Sequence, residues 1–435
     1  MEPMLCENLS VGRNGHLYFA GQDTAELAAR YGTPLYLMDE QRIRERCRTY
    51  LRAMQTAFPG KARVLYAAKA AAYKRMFAIM REENMDVDIV SSGELYTALR
   101  AGFPAQRVWL HSNNKTDEDL EYAISSGVGC IIADNLEELA AADRIAAGHG
   151  IRQSILLRLT PGIDPHTFDA VATGKVDSKF GFGIETGAAD EALRLALSLP
   201  HLQTEGFHCH VGSQLFDSDV YIRSAELMLR YMAKAKRDFG FTARQLNLGG
   251  GYGVRYVQGQ PAVDLAACIA QLGAYVRRGC AALGLELPTV SLEPGRSIVA
   301  DAGLTLYTVG MVKRIPGFVN YVSVDGGMSD NPRYALYGAE YTVLPATRMH
   351  EARKLRCSVV GRCCESGDVI QPDVPLPEAT ARGDLLAVCT TGAYNYSMAS
   401  NYNRIPRPPI VMLTEDGSYT AVRRETRDDL IRLDE

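Results

Sequence analysis

No apolar run in this chain approaches the roughly 20 residues that a membrane helix needs, so no membrane partner is expected. A concentrated basic excess is also missing. The 47 Lys and Arg face 51 Asp and Glu, a net charge of −4, which argues against a protein held electrostatically on nucleic acid. The segment Met1–Cys6 has neither a basic stretch nor an apolar one, so a signal peptide is not expected. Ten cysteines lie scattered without paired spacing, beside only eight histidines. A disulfide frame and a zinc site are therefore not expected, and the cysteines read as free thiols in a reducing, cytoplasmic setting. Internal repeats and low-complexity segments are absent as well.

What remains is an ordinary globular composition: 47% apolar, 23% charged, with 39 Gly and 19 Pro in 435 residues. That length suggests two or three domains, each able to bury a core. Short apolar or β-branched runs recur at Val64–Ala68, Val87–Val90, Val108–His111, Cys130–Ala133, Ile155–Leu159, Glu205–Val211, Leu246–Leu248 and Thr289–Leu292. Between most of them lie stretches with apolar residues every three or four positions: Glu94–Ala101, Asp117–Ser125, Leu136–Ala147, Ala188–Leu199, Ser224–Phe239 and Leu265–Leu283. Thr116 and Asp134-Asn135 offer N-caps, and Gly102, Gly127, Gly148 and Gly240 stand where C-caps belong.

Eight strands alternating with helices predict an α/β fold with a parallel sheet, and eight is the number that closes a (β/α)8 barrel. The stretch from Val64 to Gly295 is close to the ~250 residues typical of that barrel. An open doubly wound sheet is the alternative. After Gly295 the rhythm changes. Leu304–Val312, Tyr321–Val324, Arg356–Val360, Leu385–Thr391 and Ile410–Leu413 read as strands, and Glu415-Asp416-Gly417-Ser418 as a hairpin turn. Leu9–Phe19 reads as another hairpin around Arg13-Asn14-Gly15. The expectation is a barrel over 36–300 and a Greek-key-like, mostly-β domain built from 1–35 and 301–435.

In such a barrel the C-terminal strand ends carry the chemistry, and the most informative short motifs fall there. The first run ends in Tyr66-Ala67-Ala68-Lys69. That lysine is either a snorkelling edge residue or a buried amine able to form a Schiff base with an aldehyde. The seventh ends in Leu248-Gly249-Gly250-Gly251-Tyr252-Gly253. Three glycines in succession make either a flexible turn or a backbone cradle for a phosphate. Tyr252–Gln260 is not helix-like, so a dinucleotide fingerprint is excluded. The sixth ends in His208-Cys209-His210-Val211-Gly212-Ser213. His208 and His210 share a strand face, but no nearby carboxylate or third histidine completes a metal site. A flat imidazole against a planar ring, with Ser213 reaching a phosphate, fits better. The eighth ends in Glu293-Pro294-Gly295-Arg296. Either Glu293 pairs with Arg296, or the carboxylate meets a cationic ring nitrogen while the guanidinium takes a substrate carboxylate. An amine, a stacker, a phosphate cradle and a carboxylate together suit pyridoxal 5'-phosphate.

With these residues in hand, the chain resembles the alanine-racemase-like, fold-type III pyridoxal-phosphate decarboxylases over nearly its whole length. The motifs are Tyr66–Lys69, Ser91–Leu95, His111–Lys115, Asp177–Phe182, His210–Gln214, Gly249–Gly253, Glu293–Arg296, Arg333–Tyr337, Cys364–Asp368 and Gly392–Tyr394. The resemblance implies that Lys69 holds the cofactor covalently and His210 stacks on its ring. Ser213, Gly249, Gly250, Gly251 and the Glu293–Pro294–Gly295–Arg296 backbone would bind its phosphate, and Glu293 would face its ring nitrogen. Arg296, Arg333, Tyr337, Glu365 and Tyr394 would line the substrate site, with Tyr394 also near the cofactor. Cys364 would donate a proton to the α-carbon, although Cys363-Cys364 also reads as two buried apolar thiols. Glu365 would meet a second ammonium group, where the ornithine-specific branch commonly has aspartate. A homodimer follows by the same resemblance, the Cys364–Glu365 segment completing the neighbouring subunit's active site. The implied reaction is decarboxylation of meso-2,6-diaminopimelate to L-lysine. A lysine or ornithine decarboxylase, an amino-acid racemase and a non-catalytic cofactor carrier are the alternatives. Arg362, Tyr334, Ala68 and Tyr341 depart from the usual family residues.

Overall fold

A computed structural model describes residues 4–163 and 178–435. Asp177 of the Asp177–Phe182 motif lies outside the described residues. The chain divides into two compact units, Arg46–Gly253 with Ala262–Ser297, and Met1–Glu45 with Val254–Pro261 and Ile298–Glu435.

The first unit is a closed parallel barrel of eight strands: β1 (Ala62–Ala67), β2 (Asp86–Ile89), β3 (Val108–Leu110), β4 (Cys130–Ala133), β5 (Gln153–Thr160), β6 (Leu202–His208), β7 (Gln245–Asn247) and β8 (Thr289–Leu292). Each pairs with its sequence neighbour, and β8 closes on β1 through Val290↔Ala62 and Leu292↔Val64. That closure rules out the open sheet. Leu65, Trp109, Cys130, Ile132 and Leu156 form a buried cluster of strand residues, because both faces of a barrel strand are covered and apolar runs are tolerated throughout.

The connecting helices start and stop for local reasons. Asp117–Ser126 opens with a Thr116–Asp119 capping box and closes on left-handed Gly127 (φ 76°). Leu136–Gly148 is capped by the Asn135 side chain, but Gly148 is its last residue and His149 its C-cap. Asp219–Phe239 begins a turn before the expected Ser224 and ends on left-handed Gly240.

The second unit holds a mixed sheet in the order Val369–Leu376, Leu355–Val360, Asn320–Val324, Gly303–Lys313, Leu35–Asp39, Ile410–Thr414 and Gly417–Val422. Val343–Pro345 pairs with Leu385–Cys389, which pairs with Gly303–Lys313. The hairpin at Glu415–Ser418 forms, and so does the one joining Leu9–Val11 to Leu17–Phe19. Leu9, Leu17 and Phe19 bury against Leu304, Leu306, Val411 and Leu413. The division differs from the expected 36–300 span at its start. Leu35–Asp39 is a strand of this sheet, parallel to Ile410–Thr414 and antiparallel to Gly303–Lys313. A fully buried apolar strand reads the same in sequence whichever sheet it joins.

Candidate active site

In the barrel unit, Glu293 follows β8 and is buried. Its Oε1 accepts His111 Nε2–H at 2.8 Å and Asn247 Nδ2–H at 2.7 Å, and its Oε2 accepts His208 Nε2–H at 3.1 Å. The two imidazoles meet edge to face, with centroids 4.7 Å apart. Burial alone would raise the Glu293 pKa. The facing His111 and His208 rings, through their fields and their hydrogen bonds, overturn that and hold the carboxyl well below its ordinary value. Burial pushes both imidazoles down, His208 to about 4. The arrangement is therefore an ionised carboxylate held by N–H donors of His111, His208 and Asn247.

This cluster corrects the expectation that no carboxylate or third histidine would join His208. His111 and Glu293 both do, their ligand atoms lying with those of His208 within 4.8 Å of one another. Separations of 2.8 and 3.1 Å are those of hydrogen bonds. His210 does not join the group, since its Nδ1 faces the Gly250 N–H at 3.4 Å.

The glycine run makes the cradle. A Cβ on Gly250 would sit 2.0 Å from the Glu293 carbonyl oxygen, and one on Gly251 (φ 112°) would sit 2.1 Å from the Gly212 carbonyl oxygen. No other residue fits there, because the loops after β6, β7 and β8 touch backbone to backbone. Asn247 ties the cradle to the carboxylate, accepting the Gly249 N–H on Oδ1 at 2.9 Å while donating to Glu293. Pro294 accepts the Ala67 N–H at 3.1 Å, and a Cβ on Gly295 would meet Ala67 at 3.0 Å. Arg296 is buried and reaches Ser213 Oγ through Nη2 at 3.2 Å. The Glu293 oxygens thus go to His111, His208 and Asn247.

Lys69 stands on a 3-10 turn, Ala68–Ala70, just past β1. Its side chain is exposed between two buried alanines. The amine still acts on buried groups. Burial raises the Glu94 pKa against the Val90 N–H bond and the Lys69 charge, and burial followed by the Lys69 charge depresses that of His210; the same charge opposes the rise at Asp88. Burial and then the Glu293 charge push Asp88 well above the ordinary aspartate value.

Three groups were not singled out from the sequence. Asp88 on β2, Arg158 on β5 and Asn247 on β7 are each buried within apolar runs. The Arg158 guanidinium lies 4.2 Å from the Phe180 ring centroid, with Nε 3.7 Å from Asp134. A charged residue inside a buried strand demands partners, and that is the signal by which Asp88 and Arg158 can be found.

In the second unit, Arg333 is buried at the start of the short helix Arg333–Tyr337. Its guanidinium lies over the Tyr337 and Tyr394 rings, 5.4 and 5.2 Å from their centroids. Its Nε has no hydrogen-bond partner among the described residues. Tyr394 adopts a left-handed backbone (φ 67°), uncommon for an aromatic residue. Cys363 is buried and Cys364 exposed, so only one of the pair is a core thiol. Glu365 is exposed beside it. Buried Asp368 accepts the Cys363 N–H at 2.7 Å and the Met328 N–H at 2.6 Å, pinning this turn to the 325–330 loop. All ten cysteines are free. Among the described residues, no helix is long and apolar enough to cross a membrane.

These features test the fit of a pyridoxal group: an ionised buried carboxylate for a protonated ring nitrogen, a close-packed glycine cradle for a phosphate, and an exposed lysine at the strand end for an aldehyde. They fit, and a closed barrel carrying them defines a pyridoxal-phosphate enzyme of the barrel class. The profile of the pyridoxal-dependent decarboxylase family, pyridoxal binding domain, matches residues 40–300. Diaminopimelate decarboxylase of Bacillus subtilis (strain 168) is 44% identical over 97% of this chain and 96% of its own. That of Staphylococcus aureus (strain COL) is 40% identical over 96% and 97%. The crystal structure of diaminopimelate decarboxylase from M. jannaschii in co-complex with L-lysine superposes with a TM-score of 0.90 at 31% identity, covering 99% of this chain and 98% of that one. The chain belongs to the pyridoxal-dependent decarboxylase family, in the branch of the diaminopimelate decarboxylases.

Proposed function

We propose that this protein is a pyridoxal-phosphate-dependent carboxy-lyase that converts meso-2,6-diaminopimelate to L-lysine and CO2, the last step of lysine biosynthesis. The observation that carries the reading is Glu293, held ionised inside the barrel by His111, His208 and Asn247. A carboxylate kept charged at that depth stabilises a cation placed against it. Bound there, pyridoxal phosphate supplies an aldehyde for the substrate amine and a cationic ring that accepts the electron pair left by departing CO2.

The chain's own residues do the rest. Lys69 would hold the aldehyde, His210 would lie against the ring face and exclude water from it, and Glu293 would keep the ring nitrogen protonated. Gly249, Gly250, Gly251, Ser213 and the Glu293–Arg296 backbone would bind the phosphate through N–H and O–H donors. Arg296, Arg333, Tyr337 and Tyr394 would bind and orient the substrate, and Glu365 would take its distal ammonium. Cys364 would give its thiol proton to the α-carbon and recover one from solvent. We further propose a cytoplasmic homodimer in which Cys364 and Glu365 of one copy complete the site of the other. The ten free thiols suit a reducing compartment.

The test is CO2 release from meso-diaminopimelate, L-lysine and L-ornithine by protein loaded with the cofactor. A preference for diaminopimelate is expected, with yellow colour that borohydride bleaches and fixes on Lys69. Preference for lysine or ornithine, or inversion without CO2, would overturn the reading. Mixing inactive Lys69→Ala and Cys364→Ala proteins should restore part of the activity, and no restoration under subunit exchange would refute the shared site.

A further inference from the structure

The turn carrying Cys364 is anchored at a second point, from a segment the reaction does not otherwise use. The Cys364 backbone N–H donates to Asn403 Oδ1 at 2.8 Å. Asn403 and Arg404 are both left-handed (φ 52° and 56°), two consecutive non-glycine residues in a region most side chains avoid. Asparagine tolerates this conformation better than most, and here it turns the amide toward Cys364.

The surroundings hold the conformation in place. Arg404 donates through Nη1 to the Leu430 carbonyl at 2.6 Å and through Nη2 to Asp434 at 2.9 Å. Asn401 donates to the Ile405 carbonyl at 3.1 Å and to Glu425 at 2.6 Å. Strained backbone persists only where neighbours over-determine it, and it gathers at functional sites. Of the two left-handed residues, both exposed, Asn403 is the one whose side chain meets Cys364.

We propose that Asn403 is a positioning residue for proton delivery. Its amide oxygen fixes the Cys364 backbone from one side, as Asp368 fixes Cys363 from the other, so that the thiol is presented in one orientation. The proposal rests on the reading of Cys364 as the proton donor. A thiol held in one orientation transfers its proton faster than one sampling several, and ground-state binding of substrate does not depend on it.

Two variants separate the hydrogen bond from the backbone strain. Asn403→Gly keeps the left-handed conformation and removes the acceptor, whereas Asn403→Asp keeps both. In the holoenzyme, Asn403→Gly should lower kcat about five-fold, the change expected for one ordinary hydrogen bond, with KM changed less than about two-fold. Amide hydrogen exchange at Cys364 should quicken in Asn403→Gly and stay near wild type in Asn403→Asp. Asn403→Asp should retain most of kcat. Its pH profile should shift upward, because a carboxylate near the thiol disfavours the thiolate. Unchanged kcat in Asn403→Gly, a KM rising as kcat falls, or equal damage in both variants would overturn the proposal. Wild-type turnover in Cys364→Ala would instead sink the proton-donor reading on which it stands.

Discussion

Replacing Asn247 by aspartate probes how strongly the barrel holds Glu293. Asn247 is fully buried, donates to Glu293 Oε1 at 2.7 Å and accepts the Gly249 N–H at 2.9 Å. Asn247→Asp conserves volume and the acceptor for Gly249, and replaces the donor with a second carboxyl oxygen. Two ionised carboxylates at that spacing repel by about 6 kcal/mol at an effective dielectric near 20. The introduced carboxyl therefore takes a proton and donates it to Glu293. Keeping it protonated costs about 1.4 kcal/mol per pH unit above the ordinary value of about 3.9, hence about 3 kcal/mol at pH 6 and nearly 6 at pH 8. The sign follows from linkage. The folded variant binds a proton that the unfolded chain releases, so its relative stability is greatest below about pH 4 and falls as pH rises. The single tryptophan, Trp109, is buried on β3 of the same barrel, so its fluorescence in urea reports this unit. The stability difference from wild type should double between those two pH values. A difference independent of pH would refute the ionised, donor-held Glu293.

Lys115, with its Nζ donating to Ser112 O, Ile132 O and Glu138 Oε1, forms a buried ion pair at 2.8 Å. Lys115→Met leaves Glu138 buried and unpaired and should destabilise the barrel by roughly 3–5 kcal/mol by Trp109 fluorescence. Adding Glu138→Leu should recover most of that, and failure to recover would refute the pairing argument. In the second unit, burial pushes Asp330 from its ordinary 3.8 up to about 7. The folded state keeps a proton there that the unfolded chain loses. This unit's stability should be greatest below about pH 4, fall by about 1.4 kcal/mol per unit towards pH 7, and level off above. Near-UV circular dichroism in urea should show that slope flattened in Asp330→Asn, and a difference between the two proteins that grows toward acid in favour of the variant would contradict it.

Much of the fold was legible because local physics wrote it. Apolar runs alternating with 3.6-residue periodicity have few packing solutions, and the barrel is one of them. The cradle was legible in Gly249–Gly251, since backbone that must touch backbone admits no side chain. Asp88 and Arg158 were visible only as anomalies, charged residues inside apolar runs whose partners lie far away in sequence. The meeting of His111, His208, Asn247 and Glu293 joins the ends of four strands, and no spacing in the chain encodes it.

By itself, then, the amino-acid order determined the strand and helix rhythm, the glycine cradle and the family to which the chain belongs. Each of these depends on neighbours a few residues apart or on motifs read whole. Tertiary structure alone decided that Leu35–Asp39 joins the mixed sheet, that Lys69 is exposed, that Glu293 is met by three N–H donors, and that Asn403 reaches Cys364. Those outcomes depend on which distant atoms closure brings within hydrogen-bond range, and burial, which sets the strength of each interaction, exists only once the chain has folded.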